Sequence, residues 1–438
     1  MSTALDAIII GAGPAGCTAA IRLASAGWSV AIVEKRAFPR RKVCGECIAA
    51  SNLPLLDALG IGEAFDALAG PALRQVGLFV GKRQIVAPLP PMAHATHRWG
   101  RALGREHLDT MMLARAKSLG AQVWQPWTVK RQLREGELHV CTLSQPGGQA
   151  DVELSAPLLV DAHGAWESAP RSDPARDDDA RIPHRDSDLL AFKSTWRSAN
   201  LAAGLLPVLA FKGGYGGIVL GDHGLTTLAF CIRRDALQVV RTRQPHSTAA
   251  QAALAHVQAE CAGVAEVLTG AELIGPWLAV GPLQPGIRSA WRQDGSFAVG
   301  NAAGEAHPIL GEGMSMAIQS AWLLCDRLIA HRTHLGEGAL TQSDWASVGR
   351  DYARAWRASF APRVRLAATC AHLAMRPQAA GLMLPVLRQW PSLLTHGARA
   401  AGKVRQAVVA TTAPTHAPLA CNSPRNPPGT PPTLGVHG

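Results

Sequence analysis

Six residues near the start of the chain, Gly11-Ala12-Gly13-Pro14-Ala15-Gly16, have the types and spacing that hold a pyrophosphate. In a G-x-G-x-x-G run the first glycine permits a tight turn. The second lets phosphates approach the backbone, and the third lets a helix pack closely on a strand. The flanks agree with that chemistry. Ala7–Ile10 is a β-branched run suited to a buried parallel strand, and Thr18–Ala26, free of Gly and Pro, suits a helix. The N–H groups and dipole at such a helix start favour negative charge. Glu34 lies 23 residues after Gly11, at the end of a second strand-like run, Ser29–Val33. A carboxylate there can accept hydrogen bonds from adenosine ribose hydroxyls. Together these features predict a dinucleotide site. The motif by itself fits FAD and NAD equally.

A distant segment separates the two. Phe297-Ala298-Val299-Gly300-Asn301-Ala302-Ala303-Gly304, then His307-Pro308 and Gly311-Glu312-Gly313-Met314, resembles the second flavin motif of FAD-dependent monooxygenases, geranylgeranyl reductases and flavin-dependent halogenases. The usual form there is G-D-A-A, a proline, then G-x-G at the start of a long helix facing the flavin. The resemblance implies FAD, held in part by Gly300, Asn301, Pro308, Gly311, Gly313 and Met314. Asn301 stands where Asp usually holds the ribityl chain, and an amide oxygen can accept the same hydrogen bond.

Three further stretches extend the likeness. Gly104-Arg105-Glu106-His107-Leu108-Asp109 resembles an R-x-x-(L/F)-D segment and implies that Arg105 approaches the cofactor phosphates. Leu159–Ser168 resembles an A-D-G-x-x-S stretch, with His163 where Asp is usual. Lys42-Val43-Cys44-Gly45 resembles a K-x-C-G segment lying beside the flavin, which implies Lys42, Cys44 and Gly45 as cofactor neighbours. Lys35 and Val129 complete the expected cofactor set. Cys44 and Cys47 form C-x-x-C, but with no second pair or adjacent His no metal is expected. A redox pair would need a lowered thiol pKa, so the reading preferred here is a loop packed on the cofactor.

Catalytic candidates are fewer. Gly213-Gly214-Tyr215-Gly216-Gly217 resembles the G-G-Y-G-W segment of geranylgeranyl reductases, with Gly217 in place of Trp and Ile218-Val219-Leu220 in place of an F-P pair. Tyr215 either faces the flavin or packs in a sheet. His307, inside the second motif, is the other candidate, as an acid or base. The halogenases use a lysine soon after a G-E segment, and no lysine occurs between Lys42 and Lys82. Their W-x-W-x-I-P signature is also missing, and Trp124 and Trp127 read as strand or core residues. The resemblance therefore implies a FAD-dependent oxidoreductase, favoured as a monooxygenase that hydroxylates an aromatic or polyketide-like compound. NADH or NADPH would donate the electrons. The alternatives are a reductase of lipid alkenes and a flavin-binding protein without turnover.

The elements that must position these residues are those of an α/β protein. A Rossmann-like FAD-binding domain is expected from residues 1–75, 97–165 and 285–345. A β-sheet substrate domain is inserted as 76–96 and 166–284. A basic helical region follows at 346–410, broken by Pro362, Pro377, Pro385 and Pro391, and a Pro-rich tail at 411–438 is expected to be disordered.

Composition bounds the rest. At 47% apolar and 17% charged, the 438 residues exclude a disordered chain. The formal charge of +11 is uneven, because residues 350–438 hold 11 basic residues against the single acid Asp351. Nucleic-acid binding is not expected, since no motif for it accompanies the charge. Two readings of 350–410 stay open: arginines exposed on helices that cap the body, or a peripheral membrane contact. Met1–Asp6 lacks the basic region of an export signal, and nine scattered cysteines make no disulfide framework. A reducing cytoplasm, with or without membrane association, is the expected compartment.

Overall fold

The computed structural model describes residues 4–94, 96–148, 150–164, 184–335, 341–404 and 408. Most of the stretch 166–188 and the whole of the expected tail 411–438 lie outside them.

Its first layer is a parallel sheet of five strands, in the order Phe297–Ala298, Leu158–Asp161, Ala7–Ile10, Val30–Val33, Gln122–Trp124. Alternation along the first strand assigns its faces. Ala7 and Ile9 pack under the helices α1 (Pro14–Ser25), α2 (Arg105–Ser118) and α3 (Gly313–Leu335). Ile8 and Ile10 pack on a three-stranded antiparallel sheet formed by residues 128–156. Helices or strands thus cover both faces, as a parallel sheet requires.

The second layer is an eight-stranded mixed sheet. Gln75–Val80 and Arg83–Pro88 join Leu189–Arg197, Leu205–Phe211, Gly214–Leu220 and Thr226–Arg233 in it. One face buries Phe192, Phe230, Leu209 and Ile218 against three helices spanning 234–268. The other face turns toward the first layer.

The C-terminal helices correct two expected breaks. α4 (Gln342–Ala374) runs straight through Pro362, and α5 (Pro377–Gln389) through Pro385; only Pro377 and Pro391 mark helix starts. Proline removes the N–H that would bond the carbonyl four residues earlier. At Pro362 that carbonyl belongs to Ala358, and both residues are exposed, so water can take the bond. A buried stripe holds the helix on either side of the proline: Trp345, Val348, Tyr352, Trp356, Phe360, Val364 and Ala367. Tyr352 donates to the carbonyl of Ala298 at 2.9 Å, so α4 is fastened to the first sheet. α6 (Ser392–Ala401) ends the described helices.

Candidate functional site

A cavity of about 820 Å³ lies between the two layers. At one end the glycine motif forms its wall by excluding side chains. Gly11 has φ +102°, and a Cβ on it would sit 2.5 Å from the Ala162 carbonyl oxygen. A Cβ on Gly16 would meet the Gly11 carbonyl oxygen at 1.8 Å, so α1 can approach the strand only as glycine there. No side chain caps the start of α1, so its first N–H groups are left for a ligand. Pro14 at its first turn loses nothing, since its missing N–H would have been an orphan.

Buried charges frame this end. Glu34 accepts hydrogen bonds from the Ala12 N–H at 3.0 Å and the Arg36 N–H at 2.9 Å, and Arg40 lies 3.3 Å away. Its carboxylate is thereby aimed at the motif while keeping acceptor sites on the cavity wall. Arg105 binds Asp109 through two bonds of 2.7 Å. Burial opposes the guanidinium charge, but Asp109 more than offsets it and Arg105 stays protonated. Its Nη2 would lie 3.6 Å from a Cβ on Gly13, beside the pyrophosphate cradle.

Of the expected site residues, Gly11, Gly13, Pro14, Ala15, Glu34, Lys35, Lys42, Cys44, Gly45, Arg105, Val129, Gly300, Asn301, Pro308, Gly311, Gly313, Met314 and Tyr215 line this one cavity. Gly16 sits behind the wall. His307 also lies behind it, and meets the cavity through Tyr215. Trp127, expected in a strand or core, is on the wall as well, its ring edge-on to Trp124 at 5.2 Å. A Cβ on Gly45 or Gly313 would meet nothing within 4 Å, which leaves room for a ligand against the backbone. The loop, the glycine cradle and the donor set fit FAD.

Tyr215 is buried, and its hydroxyl lies 3.0 Å from His307 Nδ1. Burial pushes the phenol well above its ordinary range, while burial and then His372 bring His307 down to about 4. Both are therefore neutral near pH 7. His372, exposed on α4, lies with its ring 5.7 Å from that of His307.

Sequence reasoning missed three clusters. Glu46, with the left-handed φ of 59°, inserts between the layers. There it binds Lys193 and accepts from Thr227 Oγ1 at 2.6 Å and from the Arg105 N–H at 3.3 Å. The pair Glu46–Lys193 spans 147 residues of sequence and has no local signature. Second, Asp161 is fully buried and bound by His163 and Arg292. Burial opposes its charge, yet the two partners hold its carboxyl below the usual range. Third, Glu312 of the second motif meets Lys403 and Arg363. Among the described residues one trio has the side chains of a metal site, His107, Asp222 and His223, but none of them lines the cavity.

Comparison with known proteins follows the same outline. Residues 4–176 match the family described as "FAD binding domain". A tryptophan 2-halogenase of Chondromyces crocatus is 29% identical over 160 residues, which are 36% of this chain and 30% of that protein. A menaquinone reductase of Mycobacterium tuberculosis is 33% identical over 119 residues, 27% of this chain and 28% of that one. Squalene epoxidase 4 of Arabidopsis thaliana is 26% identical over 171 residues, 39% of this chain and 33% of that one. Each of these curated relatives is thus matched over about a third of its own length or less. Among solved structures, a flavin-dependent brominase superposes with a TM-score of 0.69 at 18% identity, covering 92% of this chain and 94% of that one. The myxobacterial chondrochloren halogenase gives 0.65 at 23% identity, with 80% and 79% covered. Residues 4–176 thus match an FAD-binding domain, and the chain shares the fold of solved flavin-dependent halogenases.

Proposed function

We propose that the protein is a FAD-dependent oxidoreductase acting on an apolar small molecule, with hydroxylation of an aromatic or polyketide-like compound as the favoured reaction. One observation carries this reading. The cavity lined at one end by the Gly11–Gly16 cradle is also lined by Leu78, Leu206, Val208, Ile218, Leu384 and Leu387. Bound FAD would supply two-electron redox chemistry, with NADH or NADPH as the donor. The chain's own residues do the rest. The start of α1 and Arg105 hold the phosphates, and Glu34 takes the ribose. The apolar chamber excludes water and orients substrate by its shape.

Tyr215 is the polar group best placed to move a proton there. With the proton on His307 Nδ1, that nitrogen donates to the Tyr215 oxygen, and the phenol hydrogen can turn to the Cys231 sulfur or to a ligand in the cavity. With Nδ1 bare, Tyr215 donates to it instead. His372 then offers an exit toward solvent.

The test is FAD-loaded protein with NADH or NADPH, oxygen and a panel of apolar aromatic compounds. Hydroxylated product carrying an atom from labelled O₂ supports the proposal. Oxygen-independent saturation of a lipid alkene would replace it with the reductase reading, and halide-dependent halogenation would contradict both. Bound FAD with no reduction by either nicotinamide would leave a flavin-binding protein.

The outer faces of α5 and α6 support a peripheral contact with an anionic membrane. Leu382 is 78% and Trp390 58% exposed, with the exposed Val386 between them in sequence. Arg376, Arg388 and Arg399 are exposed on the same segment, and no acid follows Asp351. Apolar side chains ringed by arginine suit an anionic headgroup layer, and the inner faces of these helices line the chamber. No helix among the described residues is long and apolar enough to cross a membrane. Vesicle flotation tests the contact, and its absence with phosphatidylserine vesicles would refute it.

A further inference from the structure

Two of the basic residues that charge the C-terminal part are turned inward: Arg363 is buried, and the Lys403 side chain is 11% exposed. Arg363 on α4 and Lys403, just past the end of α6, converge on Glu312, between Gly311 and Gly313 of the second glycine motif. Lys403 Nζ lies 3.3 Å from Glu312 Oε1, donates to the Gly311 carbonyl at 3.3 Å and lies 3.8 Å from Cys47 Sγ. Arg363 Nη1 lies 3.9 Å from Glu312 Oε2 and donates to Gln319 Oε1 at 3.3 Å. The segment carrying Lys403 is pinned in place. Ser51 donates its N–H to the Lys403 carbonyl at 3.3 Å and its hydroxyl to the Gly402 carbonyl at 3.2 Å. Gly402 has φ +104°, and a Cβ there would press on the Arg363 guanidinium at 2.9 Å.

The position of this cluster gives it a role. Lys403, Gly311, Gly313 and Cys47 share the cavity wall. Gly300 and Asn301 line the same cavity between the cradle and that wall, so a dinucleotide with its phosphates at Gly11–Gly16 and its adenosine at Glu34 would extend its other half past them toward Lys403. One carboxylate facing two cations leaves a net positive charge there, in a site shielded from water, where such a charge acts strongly.

We infer that Lys403 makes bound FAD easier to reduce, by placing a fixed positive charge beside the redox-active half of the cofactor. The inference rests on the FAD reading above. Reduction adds two electrons and one proton to the oxidised flavin, so its product is an anion that a nearby ammonium stabilises. The C-terminal segment would then belong to the redox site as well as to the surface.

The experiment is a midpoint-potential measurement on the full-length FAD-loaded protein, with xanthine oxidase as the source of electrons and a reference dye. In Lys403→Met the ratio of reduced to oxidised flavin at a fixed dye potential should fall on the order of tenfold. Lys403→Arg should restore it, and Glu312→Gln, which removes the opposing charge, should raise it. Opposite shifts separate a charge effect from disturbed packing. An unmoved potential in Lys403→Met with FAD bound, or a shift of the same sign in Lys403→Met and Glu312→Gln, would overturn the inference. If Lys403→Met does not fold, Glu312→Gln carries the test alone, and an unchanged potential there would overturn it. Wild-type protein unable to hold FAD would count against the FAD reading instead.

Discussion

The two ends of the cavity are built on opposite principles. At the nucleotide end the wall is backbone, and its shape comes from places where a side chain is forbidden, Gly11 and Gly16 above all. At the apolar end the wall is side chain, drawn from one face of a sheet and from α5 and α6. A backbone wall can be occupied by one kind of ligand and tolerates almost no substitution. A side-chain wall keeps its character through many sequences while its detailed shape, and so its specificity, drifts.

Substitution should therefore hurt most at the nucleotide end. Gly16→Val should abolish FAD binding and lower the yield of folded protein, because even the Cβ would overlap the Gly11 carbonyl. Fluorescence titration with FAD and a thermal melt read both effects; retained affinity would show that α1 can shift, and would break the contrast between the ends. Arg105→Ala comes next. It leaves Asp109 buried without its bidentate partner, at a cost of about 3–5 kcal/mol. Arg40, 3.6 Å from Asp109, should keep the loss at the lower bound. Urea unfolding with and without FAD separates the lost stability from the lost phosphate contact.

The pH dependence of stability probes the Tyr215–His307 pair, with His139 of the three-stranded sheet as a second buried histidine. His307 and His139 both have folded pKa values near 4 against an ordinary 6.5. Between those values the unfolded chain takes up protons that the native state refuses, so stability falls as pH drops from about 6.5 to 4. Each histidine contributes about 3 kcal/mol to that fall. His307→Asn should flatten the slope, as measured by melts across the range. An unchanged slope would mean that His307 is protonated in the native protein and not the neutral partner of Tyr215.

The smallest effect on stability belongs to the outer surface of the apolar end. Leu382→Ser with Trp390→Ser should change stability by no more than about 0.5 kcal/mol. Flotation with phosphatidylserine vesicles should nonetheless be lost. Flotation equal to wild type would remove α5 and α6 from any membrane contact.

This contrast also explains what could be read in advance. Gly11–Gly16, Glu34 and residues 300–314 were legible because backbone geometry imposes local spacing that survives in any chain using it. The unbroken apolar run Ala7–Ile10 marked a buried parallel strand just as locally. Glu46, Lys193, Arg363 and Lys403 were not legible, because buried ion pairs join residues far apart and leave no periodic trace. Tyr215 and His307 were both found as separate candidates, but their pairing across 92 residues appears only in the fold. Pro362 misled in the other direction. A local rule said break, and the buried stripe of α4 overrode it.

The central claim is that one cavity holds FAD at its glycine end and leaves the apolar end free for substrate. Titrating the purified protein with FAD, then adding an apolar aromatic compound, tests it directly. The account predicts one FAD per chain, followed by a perturbed flavin absorption spectrum as the second ligand enters the adjoining chamber. Protein that takes up no FAD, or FAD displaced in competition with the apolar compound, would contradict it.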